Sequence, residues 1–248
     1  TGFEGGSALP VSVSGETLRI RLRADAAGPD MNWFYFRISG AAGRELRVVI
    51  ENASDLSRLA GRDEVPDCWT GYRPFVSANR RDWTRCDADY ADGVFTIKTP
   101  AVADTVWVAY YPPFPMDRHD AMVATAVSDA RCRLERLGVT PQGRELDLLR
   151  IGTPGPGKPK DWIMGRQHPS ETMAGFFVEG LLARLLDPSD ALGRALCDAL
   201  DIFVVPTVNP DGCAMGNTRL NARGMNLNRA WDGTDPETAP EVAMIQTR

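Results

Sequence analysis

The chain has no closely spaced cysteine pair, no long apolar run and no long basic run, and each absence removes a class of protein. Cys68, Cys86, Cys132, Cys197 and Cys213 are odd in number and include no Cys-x-x-Cys. A zinc ribbon or dithiol redox motif therefore fails on spacing. Unpaired thiols point to a reduced, cytoplasmic chain. No stretch approaches the roughly 18 to 20 apolar residues that span a bilayer, so no membrane partner is expected. The net charge of −5, without basic clusters, argues against nucleic acid. Thr1 to Gly6 shows neither a basic n-region nor an apolar h-region, so no signal peptide is read there. The first residue is not Met, and residues are expected to precede it. There is no internal repeat and no low-complexity tract.

What is present reads as an ordinary globular chain: 43% hydrophobic and 25% charged over 248 residues, enough for one or two domains. Residues 1–116 read as all-β. Short apolar or alternating runs at Val11–Val13, Leu18–Leu22, Trp33–Ile38, Leu46–Ile50, Val94–Ile97 and Val106–Tyr110 are punctuated by Gly, Asp, Asn and Pro, which suggests an antiparallel β-sandwich. Trp69 to Trp83 mixes aromatics with Arg73, Arg80 and Arg81; a hairpin with one buried face and one Arg face is favoured over a ligand surface. Tyr111-Pro112-Pro113-Phe114-Pro115 closes this region, because prolines there continue neither strand nor helix.

From residue 117 the pattern becomes α/β. Asp120–Leu137 is read as a helix on Met122, Ala126, Ala130, Leu134 and Leu137, with Gly138 as its cap. Strands are expected at 146–151, 162–165 and 202–205, and helices at 172–186 and 192–200. The unbroken apolar run Ile202-Phe203-Val204-Val205 suits a strand covered on both faces.

Gly165-Arg166-Gln167-His168-Pro169-Ser170-Glu171 falls where one of these strands ends and a helix begins. Ligands bind at that carboxyl edge in open α/β sheets. An imidazole and a carboxylate three positions apart can face one cation there, and both suit Zn²⁺. Taken alone, His-x-x-Glu is better explained by a surface His and a first-turn Glu favoured by the helix dipole. After the strand at 202–205 comes Asn209-Pro210-Asp211-Gly212, read as a sharp turn. Gly216 to Arg229 is then rich in Asn and Arg, residues that suit a carboxylate or an oxyanion and equally suit a solvated loop.

The four motifs in order, His168-Pro169-Ser170-Glu171, Asn209-Pro210-Asp211-Gly212, Asn217-Thr218-Arg219 and Leu227-Asn228-Arg229, resemble zinc carboxypeptidases of the M14 type. The closest likeness is to the cytosolic carboxypeptidase branch, which carries a β-sandwich ahead of the catalytic domain. Tyr111-Pro112-Pro113-Phe114 before Arg118-His119, and Thr140 to Leu146, resemble the joining stretches. The resemblance implies a β-sandwich (1–116) followed by the N-terminal part of an α/β zinc carboxypeptidase domain (117–248), with a mixed sheet flanked by helices on both faces. It implies zinc as cofactor with His168 and Glu171 as ligands, Arg219 polarising the scissile carbonyl, and Asn228 and Arg229 gripping the C-terminal carboxylate of a peptide or protein substrate.

The chain departs from the family pattern in two respects. Asn226 stands where Asp is common. The family's third ligand, a downstream His, and its Glu general base have no counterpart before Arg248; His119 matches a position that is not a ligand, and Glu237 and Glu241 do not match the base. The chain is therefore expected to be part of a longer enzyme, incomplete in its sheet and inactive by itself. Two alternatives stand beside this reading: a zinc amidohydrolase of the aspartoacylase or succinylglutamate desuccinylase type, and a catalytically dead binding protein.

Overall fold

In the first unit, alternating apolar side chains make sheets that bury one face. The computed structural model describes every residue except 27, 56–66, 101–102, 154 and 234. Two compact units emerge, one formed by Thr1–Pro113 with Ala214–Leu220, the other by Phe114–Cys213 with Asn221–Arg248.

The first unit contains β1 (Leu9–Ser14), β2 (Thr17–Arg21), β3 (Tyr35–Ser39), β4 (Leu46–Ile50), β5 (Phe75–Ser77), β6 (Thr84–Arg85), β7 (Asp87–Ala91), β8 (Val94–Thr99) and β9 (Thr105–Ala109). They form two sheets, ordered β1-β2-β4-β8-β7 and β3-β9-β5-β6. Pairing is antiparallel except for β2 with β4. Both sheets feed one core, in which Phe34, Tyr35, Trp69, Phe95, Ile97 and Val108 are wholly buried. The β7–β8 hairpin turns on Asp92-Gly93, both at positive φ (51° and 79°). Such a two-residue loop matches the right-handed strand twist. In the Trp69–Trp83 stretch Trp69 is buried and donates its indole N–H to the Ala53 carbonyl at 2.9 Å. Arg73 and Arg81 are exposed, and Arg85 lies 4.1 Å over the Phe75 ring. This is the hairpin reading, with the cations on the wet face.

The second unit contains α1 (Met116–Val127), β10 (Cys132–Val139), β11 (Glu145–Ile151), β12 (Lys160–Met164), α2 (Met173–Leu186), α3 (Ala191–Ala199), β13 (Asp201–Val205), α4 (Pro210–Met215, its last two residues counted with the first unit) and α5 (Pro240–Gln246). The sheet order is β10-β11-β13-β12, with β12 and β13 parallel and the other pairs antiparallel. Strand alternation divides the apolar residues between two cores. Leu149, Ile151, Ile202 and Val204 pack with α1, α2 and α3. Leu146, Leu148, Phe203 and Val205 pack with Leu227 and the Val242 and Ile245 side of α5. Hence Ile202–Val205 shows no polar face.

Two local expectations are corrected. The helix read over 120–137 stops at Val127, and Leu134 and Leu137 belong to β10. Asp129 takes the Arg131 N–H (2.9 Å) and its guanidinium (3.0 and 2.7 Å), making a turn that launches the strand. Leu134 then pairs with Leu149, so β-pairing overrides a helical spacing of apolar residues. Gly138 lies at a register irregularity of β10, not at a helix cap. The Asn-Pro-Asp-Gly stretch begins helix α4 instead of making a sharp turn. Asn209 caps it by accepting the Gly212 N–H at 2.9 Å, and Pro210, which lacks an N–H, opens it. Residues 214–220, which follow the sequence division at 117, pack with the first unit. The reason is polar: Asp25 and Arg23 hold their backbone, as described below.

Candidate functional site

Met164 of β12 lies opposite Val205 of β13 in parallel register, so both strands end at one edge of the sheet. The segments beyond them stay joined. Gly165 N–H donates to Val205 O at 2.9 Å, Val208 N–H to Gly165 O at 2.9 Å, and Asn209 N–H to Arg166 O at 3.2 Å. A Cβ at Gly165 would lie 2.6 Å from the Pro206 carbonyl oxygen, so only glycine permits this approach. Arg166 takes a left-handed φ of 52° and is buried. That conformation costs roughly 1 kcal/mol for a residue with a Cβ. Its guanidinium offsets this by donating to Phe114 O (2.8 Å) and Pro169 O (2.7 Å), which shapes the turn bearing His168.

His168 is buried, and Glu171 is half-exposed just before α2. His168 Nδ1 lies 2.9 Å from Glu171 Oε1, and Nε2 lies 3.1 Å from Asn226 Oδ1. Asn226 Oδ1 also accepts the Asn228 N–H at 3.1 Å, so an oxygen, not the amide nitrogen, faces this corner. Both ring nitrogens thus face oxygen acceptors, and a hydrogen on Nε2 would free the Nδ1 lone pair for a metal ion. A proton, or a metal ion in its place, can sit between Nδ1 and Glu171. Tetrahedral zinc fits: with bonds of about 2.0 to 2.1 Å its ligand atoms stand roughly 3.3 Å apart, a few tenths of an ångström wider than here. The Nε2–Asn226 bond is the outer contact that a metal-binding imidazole ordinarily makes. Sequence reasoning saw Asn226 only as a departure from Asp and missed this contact with His168.

Asn228 and Arg229 are exposed in the 3₁₀ turn Leu227–Arg229, where Arg229 Nη1 donates to Asn228 O at 3.1 Å. That loop is held from below. Asn221 Oδ1 accepts the N–H groups of Arg223 (3.0 Å) and Met225 (2.8 Å), and its amide donates to Thr238 O (3.0 Å) and Glu241 Oε2 (3.0 Å). Glu241 is fully buried on α5; burial pushes its carboxyl up from the ordinary value, and the charge of Asp211 adds to this while Asn221 opposes it. Asp211, also buried, accepts from Thr140 Oγ1 (2.8 Å), the Gln142 N–H (3.0 Å) and Arg144 Nη1 (3.0 Å), tying α4 to the β10–β11 turn. His119 is committed elsewhere in the second unit. Its ring contacts Asp147 Oδ2 and Thr207 Oγ1, both at 3.1 Å. Among the described residues no group of three or more His, Cys, Asp or Glu is arranged to hold a metal.

Arg219 belongs to the first unit. Its backbone N–H donates to Asp25 Oδ2 at 2.7 Å, flanked by Leu220 N–H to the same oxygen at 2.8 Å and Thr218 N–H to Asp25 Oδ1. Burial raises the Asp25 carboxyl and the three N–H groups act against it. Arg23 donates to the carbonyls of Met215 and Gly216. Nothing in the sequence around Asp25 signals this contact.

Residues 1–111 match the cytosolic carboxypeptidase N-terminal domain, and residues 121–244 match the zinc carboxypeptidase family. An uncharacterised protein of Zymomonas mobilis is 36% identical over 98% of this chain and 62% of its own length. The crystal structure of a metallo-carboxypeptidase from Burkholderia cenocepacia superposes with a TM-score of 0.93 at 36% identity, over 100% of this chain and 65% of that one. A Pseudomonas aeruginosa metallo-carboxypeptidase, solved in complex with (2-guanidinoethylmercapto)succinic acid, gives a TM-score of 0.91 at 32% identity, over 99% of this chain and 64% of that one. The chain thus spans a little under two thirds of the length of these relatives. Among the described residues no helix is long and apolar enough to cross a membrane. With both family matches and these structural likenesses in agreement, the chain belongs to the M14 zinc carboxypeptidases, in the cytosolic carboxypeptidase branch.

Proposed function

We propose that the full-length protein is a cytoplasmic, zinc-dependent metallocarboxypeptidase that hydrolyses the C-terminal peptide bond of peptides or protein tails. The observation that carries this reading is the His168–Glu171 pair, an imidazole nitrogen and a carboxylate oxygen held 2.9 Å apart, with Asn226 Oδ1 on the other ring nitrogen at 3.1 Å. In this reading His168 and Glu171 are two of the metal ligands. The zinc supplies Lewis acidity and a bound water whose pKa falls toward about 7. Arg219 offers a fixed cation to the substrate carbonyl, and its attraction grows as negative charge develops on that oxygen. Asn228 and Arg229 bind the terminal carboxylate, Arg229 by its two-pronged guanidinium. That clamp makes the enzyme an exopeptidase, because an internal peptide bond has no carboxylate to present.

The test is release of C-terminal residues from blocked dipeptides covering every coded C-terminal residue, with amidated versions as controls. The full-length protein is expected to release residues only when zinc is bound and only from free carboxylates. No release from any member of the panel with zinc bound would remove the reading. Cleavage of small N-acyl amino acids but no peptides would point to the amidohydrolase class instead.

A further inference from the structure

The loop that carries Arg219 is held by several contacts within the first unit. Three consecutive backbone N–H groups, of Thr218, Arg219 and Leu220, converge on the two oxygens of Asp25. Such a run of amides is a concave site for an anion, and here the anion is a side chain of the same unit. Asp25 is itself fixed in a turn, its N–H donating to Asp30 O at 2.7 Å and its carbonyl accepting the Gly28 N–H at 3.2 Å. Thr218 Oγ1 accepts the N–H groups of Asn32 (3.0 Å) and Trp33 (3.1 Å). Asn217 Nδ2 donates to Leu220 O at 2.9 Å, closing the loop on itself. Leu220 fills the space over Gly28, where a Cβ would collide with its side chain. The backbone of residue 219 is thereby fixed from both sides. By contrast Arg219 Nε is buried and has no hydrogen-bond partner among the described residues. A fixed backbone carrying a donor without an acceptor is what a side chain awaiting a ligand oxygen requires.

We propose that Asp25 is a positioning residue for Arg219, fixing the backbone from which that side chain is aimed. The inference rests on the carboxypeptidase reading of Arg219. Asp25 touches no substrate; it acts by clamping the three amides. Asn at this position supplies one acceptor and turns an NH₂ toward an N–H, so the clamp opens on one side. A displacement near 1 Å of a catalytic group lowers turnover by about a hundredfold.

The experiment is a double-mutant cycle on the zinc-loaded full-length protein, with the best-cleaved blocked dipeptide from the panel. Asp25→Asn is expected to lower kcat by about ten- to a hundredfold while KM and zinc content stay within about twofold. In an Arg219→Ala background the same substitution is expected to lower kcat by less than about threefold, since the two act as one unit. If the two effects multiply, or if Asp25→Asn leaves kcat unchanged while Arg219→Ala abolishes it, the positioning role is overturned. If Arg219→Ala retains full kcat, the reading of Arg219 itself falls, which is a different failure. Should Asp25→Asn not fold, Thr218→Val, which removes the hydroxyl that takes the Asn32 and Trp33 amides, replaces it in the cycle. It is expected to lower kcat in the same way, with Thr218→Ser restoring it; a Thr218→Val protein with wild-type kcat overturns the proposal.

Discussion

Replacing Asn226 by Leu should weaken zinc binding without unfolding the second unit, and the size follows from the geometry around His168. In the native chain Nε2 faces Asn226 Oδ1 at 3.1 Å and Nδ1 faces Glu171 Oε1 at 2.9 Å. With Leu, nothing accepts at Nε2. The hydrogen of the metal-free ring then belongs on Nδ1, where Glu171 accepts it. On the proposed ligation by Nδ1, zinc would leave the hydrogen on Nε2, in a buried position without an acceptor, at about 1 to 3 kcal/mol. The penalty falls on the metal-bound state alone, so affinity should drop by about ten- to a hundredfold, in line with the usual effect of losing such an outer contact. The second bond to Asn226 Oδ1, from the Asn228 N–H, is at an exposed turn where water replaces it. Zinc competition with a chromophoric chelator measures the affinity in the full-length protein, and nitrogen NMR of the metal-free form reads the tautomer. Asn226→Asp, which offers a charged acceptor, should bind zinc at least as tightly as the native chain. A Leu variant with zinc affinity within threefold of native, or with its metal-free ring still protonated at Nε2, would refute the reasoning.

Two further outcomes follow from buried contacts in the second unit. Gly165→Ala should lower stability by about 1 to 3 kcal/mol, because its Cβ meets the Pro206 carbonyl oxygen at 2.6 Å and must spread the joined ends of β12 and β13; chemical denaturation checks this, and a variant as stable as native contradicts the packing. Glu241→Gln tests the buried carboxyl on α5. Burial raises its folded-state value, so its favourable contribution is complete below the unfolded-state value of about 4.3 and is lost as pH rises through the folded-state value. The native chain should therefore lose stability relative to Glu241→Gln as pH rises from about 4 toward neutrality, and a difference that stays flat across that range in denaturant titrations would count against the assignment.

The sandwich and the α/β region were legible because their signals are local. Period-two alternation in Val94–Thr99, and the unbroken run Ile202–Val205, report directly how many faces of a strand are covered. The His-x-x-Glu pair could be found because strand end (Met164) and helix start (Met173) lie only nine positions apart in the chain. Period alone misled where pairing decided the state. Leu134 and Leu137 sit at helical spacing, yet a turn at Asp129 and a partner strand at 145–151 make them β. Asn209-Pro210-Asp211-Gly212 holds residues of a turn, but the same Asn and Pro cap and open a helix once Asp211 is buried against Thr140 and Arg144.

Sequence by itself determined a β region followed by an α/β region, the residue types able to bind zinc and a carboxylate, and the family. Those properties depend on side chains close together along the chain or on a pattern of motifs. Tertiary structure alone decided what faces the His168 ring, through an amide oxygen 58 residues away, and the clamp on the Arg219 backbone, through a carboxylate 194 residues earlier. Hydrogen bonds act over about 3 Å of space whatever the separation in sequence. Asn226 and Asp25 carry no local mark of what they touch, and only the folded chain brings their acceptors to the groups they hold.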